Sequence, residues 1–137
     1  MTRFALTVVL IGSLTAASLA GAKRSKYMRD GNWGGQHIQM SVANGSAHIE
    51  YDCANGIISG PLKVDSQGRF ELRGTHNVQR GGPMRTEQSE SAGQPAKYTG
   101  YTDGKKMKLT VTLVNSKLEI GTFELTRGSA GRVFKCL

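Results

Sequence analysis

Residues 31–53 read GNWGGQHIQMSVANGSAHIEYDC, and residue types alone set the register of this stretch. Asn44-Gly45 is the pair that best tolerates φ > 0 at both centres of a two-residue loop, so Ala43 faces Ser46 across a β-hairpin. Ile38 then meets Tyr51, Met40 meets Ile49 and Val42 meets Ala47. On the other face His37 meets Asp52, Gln39 meets Glu50 and Ser41 meets His48. One face is apolar and the other polar throughout, and a slip of one residue would mix them. The same register puts Cys53 opposite Gln36 and leaves Gly31, Trp33, Gly34 and Gly35 at the mouth of the first strand.

Working outward, Asn55-Gly56 is a second turn signal, followed by a short strand over 57–64 with Leu62 and Val64 on one face. Asp65-Ser66-Gln67-Gly68 is a turn with Gly68 in the left-handed position, which returns Phe70 and Leu72 opposite Val64 and Leu62, with Gly74 continuing their face. Asp103-Gly104 reads as a two-residue turn that places Tyr98 opposite Leu109, Gly100 opposite Met107 and Ala96 opposite Val111. Met107, Leu109, Val111 and Leu113 form the clearest period-two run. A turn at Asn115-Ser116 pairs Leu113 with Leu118 and Val111 with Ile120. The apolar phase then jumps to Phe123 and Leu125, which needs one extra residue, best tolerated as a bulge at Gly121. Arg132 to Leu137 alternates once more. Eight short strands joined mostly by hairpin turns, with no helix, predict an all-β domain: an eight-stranded antiparallel up-and-down barrel, which leaves no open edge. A two-sheet β-sandwich is the alternative.

Upstream, residues 1–22 carry an early cation (Arg3), an apolar run from Phe4 to about Leu14 and small residues ending in Ala20-Gly21-Ala22. This is the pattern of a secretory signal peptide cleaved after Ala22, too short in its apolar part for a spanning helix. No transmembrane segment is expected after cleavage, and the protein is expected to be exported, periplasmic or extracellular. Residues 23–30, KRSKYMRD, read as a flexible basic arm, and residues 31–137 as a single domain. Losing Arg3 lowers the formal charge from +8 to +7. Two cysteines in an exported chain are expected to oxidise, joining Cys53 to Cys136 on the inward phase of their strands beside Gly34-Gly35. Such a bridge closes a loop of more than 80 residues, worth about 4 to 5 kcal/mol on chain-entropy grounds.

Gly31-Asn32-Trp33 before the first strand, with Arg132 in the last, resembles the Gly-x-Trp and arginine pairing of lipocalin-like (calycin) barrels. The resemblance implies that Trp33 closes one end of the barrel under the Arg132 cation. Tyr51-Asp52-Cys53-Ala54-Asn55-Gly56, the stretch SESAGQPAKY from Ser89 to Tyr98, and Cys136 resemble the periplasmic inhibitors of C-type lysozyme. That resemblance implies an exported barrel binding through a loop.

Most residues of functional interest have a structural reading that competes. Met40, Ile49, Tyr51, Phe70, Leu72, Tyr98, Met107, Leu109, Val111, Ile120, Phe123 and Phe134 are expected to fill the interior. Gly60, Gly74 and Gly100 fall on the inward phase and leave room for a small apolar ligand at a barrel mouth near Tyr98 and Gly100. His37, His48, Glu50 and Asp52 share a polar face but lack the spacing of a closed metal site, so no metal or other cofactor is expected. His76 has no nucleophile elbow or paired carboxylate near it in sequence, and no enzymatic activity is expected. Lys105, Lys106 and Lys108 with Tyr101 have the composition of a nucleic-acid patch, a use that export argues against. Asn77 to Gln94 shows no period and far exceeds an ordinary hairpin connection, which marks it as the expected interaction site. Within it Arg80 and Arg85 flank a Gly81-Gly82-Pro83 bend with Met84 as an adaptable apolar contact, followed by Glu87, Ser89 and Ser91. The function expected is that of a non-catalytic binding protein, an inhibitor or envelope interaction module with a protein or envelope component as partner. A carrier of a small apolar ligand is the alternative.

Overall fold

A computed structural model describes residues 26–79 and 93–136. The expected leader, residues 23–25 of the arm and most of the long loop lie outside the described residues. Eight strands run in chain order: β1 (Gly31–Gly35), β2 (Ile38–Ala43), β3 (Ser46–Tyr51), β4 (Ala54–Ile58), β5 (Arg69–Val78), β6 (Gln94–Thr102), β7 (Lys106–Leu113) and β8 (Glu119–Arg127). Each pairs antiparallel with its neighbour, and β1 pairs with β8 to close a barrel. The up-and-down barrel is the fold, not the sandwich.

The β2–β3 register is the one read from the sequence, Ile38 opposite Tyr51 through Ala43 opposite Ser46, with Asn44 and Gly45 at φ 53° and 75°. Upstream of it the strand expected as one piece is two. The chain reverses at Gln36-His37 so that Gly35 faces Ile38, and His37 takes φ 65°. The next reversal falls at Asp52-Cys53, with Cys53 at φ 60°, and Asn55-Gly56 sits inside β4. Leu62 and Val64 do not return onto β5. Their backbone instead meets the arm, Met28 N donating to Leu62 O and Val64 N to Lys26 O, both at 2.9 Å. Residues 26–30 are therefore a bound segment and not a flexible one, because Met28 is buried in the core next to Leu62.

The β6–β7 register is offset by two from the expected one: Tyr98 faces Val111 and Gly100 faces Leu109. Asp103 lengthens the turn by accepting from Lys105 N and Lys106 N at 2.8 and 2.7 Å. An offset of two keeps every side chain on its face, so the core is unchanged. The expected bulge forms one residue before Gly121: Thr112 faces Glu119, Val111 faces Gly121 in place of the expected Ile120, and Ile120 is the extra residue. The run after Arg132 is no strand, making a single parallel bridge from Arg132 to Gln36, and Phe134 is 59% exposed instead of filling the interior.

The interior is filled by the chain's own side chains. Trp33, Ile38, Met40, Ile49, Tyr98, Leu109 and Val111 are almost wholly buried. The inward glycines make room for aromatic rings. A Cβ at Gly56 would run into the Tyr98 hydroxyl, one at Gly74 would lie 3.0 Å from the Tyr98 ring, and one at Gly100 would lie 3.0 Å from Phe70. Gly60 lies in the exposed connection after β4, outside the interior.

Candidate interaction end of the barrel

The up-and-down order sends the turns 36–37, 52–53 and 114–118 and the 79–93 connection to one end. The turns 44–45 and 103–105, the 59–68 connection and the arm lie at the other. The first of these is the disulfide end. After β8 the chain doubles back as an extended strap. Where it crosses β1, a Cβ on Gly34 would strike Ser129 O, Gly131 N and Ala130 C. Arg132 N then donates to Gly35 O at 3.0 Å, so the strap passes Gly34-Gly35 as expected. It ends in the Cys53–Cys136 disulfide, Cα atoms 5.0 Å apart. Both cysteines lie outside strands, in a turn and in the strap, and not on an inward strand phase.

Around the bridge, Phe134 N donates to Asp52 Oδ1 at 2.7 Å and Cys53 N to Phe134 O at 3.3 Å. Asp52 Oδ2 is bonded to His37 Nδ1, so the pair expected across a strand forms across two neighbouring turns. The Phe134 N–H, with His37 beside it, holds the Asp52 carboxyl below its ordinary value despite partial desolvation. The Asp52 contact offsets the left-handed backbone at His37, where a non-glycine residue is disfavoured.

This same turn holds the stem of the long loop, since Gln79 N donates to Cys53 O at 2.8 Å. On the returning side Gly93 abuts Asn77 and Thr75 so tightly that a Cβ would lie 2.7 Å from Asn77 Oδ1. Nothing in the sequence announces these anchors, which depend on where the chain turns. The expected partner-binding residues Arg80, Gly81, Gly82, Pro83, Met84, Arg85, Glu87, Ser89 and Ser91 lie outside the described residues.

Trp33 is fully buried, its Nε1 donating to Arg29 O at 3.4 Å. The cation beside it is not Arg132, which is exposed and paired with Gln36 at the opposite end of β1. Arg127 faces Trp33 in the β1–β8 pairing and donates through Nε and Nη2 to Asp30 O at 3.2 and 2.7 Å. The strap is too tightly bound to β1 at Gly35 for Arg132 to reach the tryptophan's end.

Inside the barrel, Tyr51, His76 and Tyr98 form a buried polar group. The Tyr51 and His76 rings are 5.5 Å apart, and Tyr51 lies as close to Phe123. Tyr98 donates to Thr75 O at 2.6 Å. Tyr51 Oη and His76 Nδ1 are buried without a protein hydrogen-bond partner among the described residues. Burial, reinforced by the nearby Tyr98 hydroxyl, drives the Tyr51 phenol far above its ordinary pKa. Burial also raises Tyr98 and lowers His76, which favours neutral imidazole.

No three potential metal ligands come together among the described residues. At the arm end an open groove of about 660 Å³ runs past Val64, Arg69, Phe70, Glu71 and Gly100. No helix among the described residues is long and apolar enough to cross a membrane. The closed barrel is compatible with both families the sequence resembles, but comparison of the chain with protein-family models, curated proteins and solved structures finds no match.

Proposed function

We propose that this is an exported, non-catalytic binding module that engages a protein or envelope component through the loop between β5 and β6. The observation that carries the reading is the filled interior: with Tyr98 seated on Gly56 and Gly74 and Phe70 on Gly100, recognition is left to the surface. The loop stem is fastened to the disulfide-bearing turn through Gln79 and Cys53, which lowers the entropy lost when a loop is immobilised on a partner. The disulfide suits an oxidising compartment.

Replacing residues 80–92 by a short Gly-Ser linker keeps the Gln79 and Gly93 anchors. The expected result is an intact thermal transition and loss of a partner that the wild-type chain retains from envelope extract. Equal retention by both chains overturns the loop as the site. A second reading, a carrier of a small apolar ligand, draws on the groove beside Phe70 and Gly100. It requires saturable binding of an apolar fluorescent probe that Gly100→Leu abolishes.

A further inference from the structure

The charge of the molecule is gathered at the arm end. Of the described residues, eight cations and four carboxylates lie there, against five cations and four carboxylates over the rest of the surface. The cations come from separate stretches of chain. Arg29 lies over the β6–β7 turn, its Nε about 3.7 Å from the position of a Cβ on Gly104. Lys105 and Lys106 are exposed in that turn, and Arg127 N donates to Lys105 O at 2.8 Å, which brings the end of β8 alongside. The Arg127 guanidinium is held by a neutral carbonyl, Asp30 O, and by no carboxylate among the described residues. Two of the carboxylates are already engaged: Asp65 pairs with Arg69 at 3.0 Å, and Asp103 accepts from the backbone of its own turn.

Two exposed tyrosines rim this end. Tyr27, 53% exposed, bridges to Lys63. Tyr101, 44% exposed, stands in one cross-strand row between Arg69 and Lys108. Tyrosines set among Lys and Arg are the composition of a surface that rests at phospholipid headgroup level. A single-stranded nucleic acid would need successive aromatic platforms along a groove, whereas Tyr101 is the one exposed aromatic in its row. The far end, with nearly balanced charge, gives the molecule a polarity that a planar anionic surface can orient.

We propose that the arm end of the barrel docks on an anionic phospholipid surface, through Arg29, Lys105, Lys106, Lys108 and Arg127 with Tyr27 and Tyr101 at the headgroup level. The loop's two anchors, Gln79 and Gly93, are at the opposite end of the barrel. This docking does not depend on the loop's role.

The test is co-sedimentation of the chain from Lys23 onward with vesicles of phosphatidylcholine alone and of phosphatidylcholine mixed with phosphatidylglycerol. Binding is expected only to the mixed vesicles, weakening as ionic strength rises. The double variant Lys105→Glu, Lys106→Glu is expected to bind at least about tenfold more weakly, with its thermal transition retained. The control Lys117→Glu, Lys135→Glu changes the same net charge at the disulfide end and is expected to bind as wild type. Equal loss in both variants overturns the proposal, since net charge and not the arm end would then govern binding. Absence of binding to the mixed vesicles overturns it, as does release from them by a single-stranded oligonucleotide at concentrations where inorganic polyphosphate of matched length has no effect.

Discussion

Tyr51 and Tyr98 are both buried aromatic rings in the same barrel, and the structure assigns opposite values to their hydroxyls. Tyr98 is fully buried and donates to Thr75 O at 2.6 Å. Tyr98→Phe removes that bond and leaves the carbonyl short of a donor, which costs about 1 to 2 kcal/mol. Tyr51 is 4% exposed, and its hydroxyl lies near the Tyr98 hydroxyl but meets hydrogen-bond geometry with no protein atom among the described residues. An unpaired buried hydroxyl itself costs roughly 1 to 3 kcal/mol, and Tyr51→Phe relieves that while keeping the ring contacts to His76 and Phe123. Its expected effect is neutral to stabilising by about 1 kcal/mol. For a domain of this size the two variants should differ in melting temperature by several degrees, on the order of 3 to 6 °C per kcal/mol. Equilibrium urea unfolding reads the difference as a shift in midpoint at constant slope. If Tyr51→Phe lowers the midpoint as far as Tyr98→Phe does, the argument from hydroxyl partners is wrong.

Two further outcomes follow from buried and bridged groups. Burial lowers the His76 pKa in the fold below its ordinary 6.5, so the unfolded chain takes up protons first as pH falls. Stability from this group is complete above about 6.5 and declines below it, ahead of Asp52, Asp65 and Asp103, whose lowered carboxyls release stability only below about 3.8. His76→Phe should flatten the slope of urea midpoint against pH between 6.5 and 5, and an unchanged slope would refute this. The Cys53–Cys136 bridge spans 83 residues, so Cys136→Ser should cost about 4 kcal/mol, and non-reducing mass spectrometry of exported protein should find no free thiol in the wild type.

Period and turn chemistry made the central hairpin, a bulge near Gly121 and much of the core legible in the sequence, though not Met28, Ala54 or Ile58. Asn44-Gly45 fixed a register because both residues take φ > 0 readily. The turns that escaped notice, Gln36-His37 and Asp52-Cys53, lack glycine. They exist because the Asp52 contacts to His37 and Phe134 and the disulfide secure two left-handed residues, His37 and Cys53, and such support is invisible until distant segments meet. The two-residue error between β6 and β7 arose because Asp103 caps a longer turn, while period two preserved the burial pattern. At the candidate site Trp33 is buried, whereas Arg132, expected above it, bridges to Gln36 and Arg127 is its cross-strand neighbour instead. Sequence position alone could not distinguish Arg132 on the strap from Arg127 at the end of β8.

The strap ties three remote stretches of sequence into one constraint. Its path over Gly34 and close to Ile38 O leaves no room for a side chain at Gly34 or Gly131, and the Cys53–Cys136 bridge adds a covalent hold at its end to the backbone bonds from Arg132 and Phe134. Selection should therefore treat these positions as a unit: a lineage that lost the cysteine pair would be under a weaker constraint at the glycines as well. A divergent chain of this fold would then be better identified by glycines 34 and 131 appearing together with cysteines 53 and 136 than by its hydrophobic pattern, which any small barrel shares.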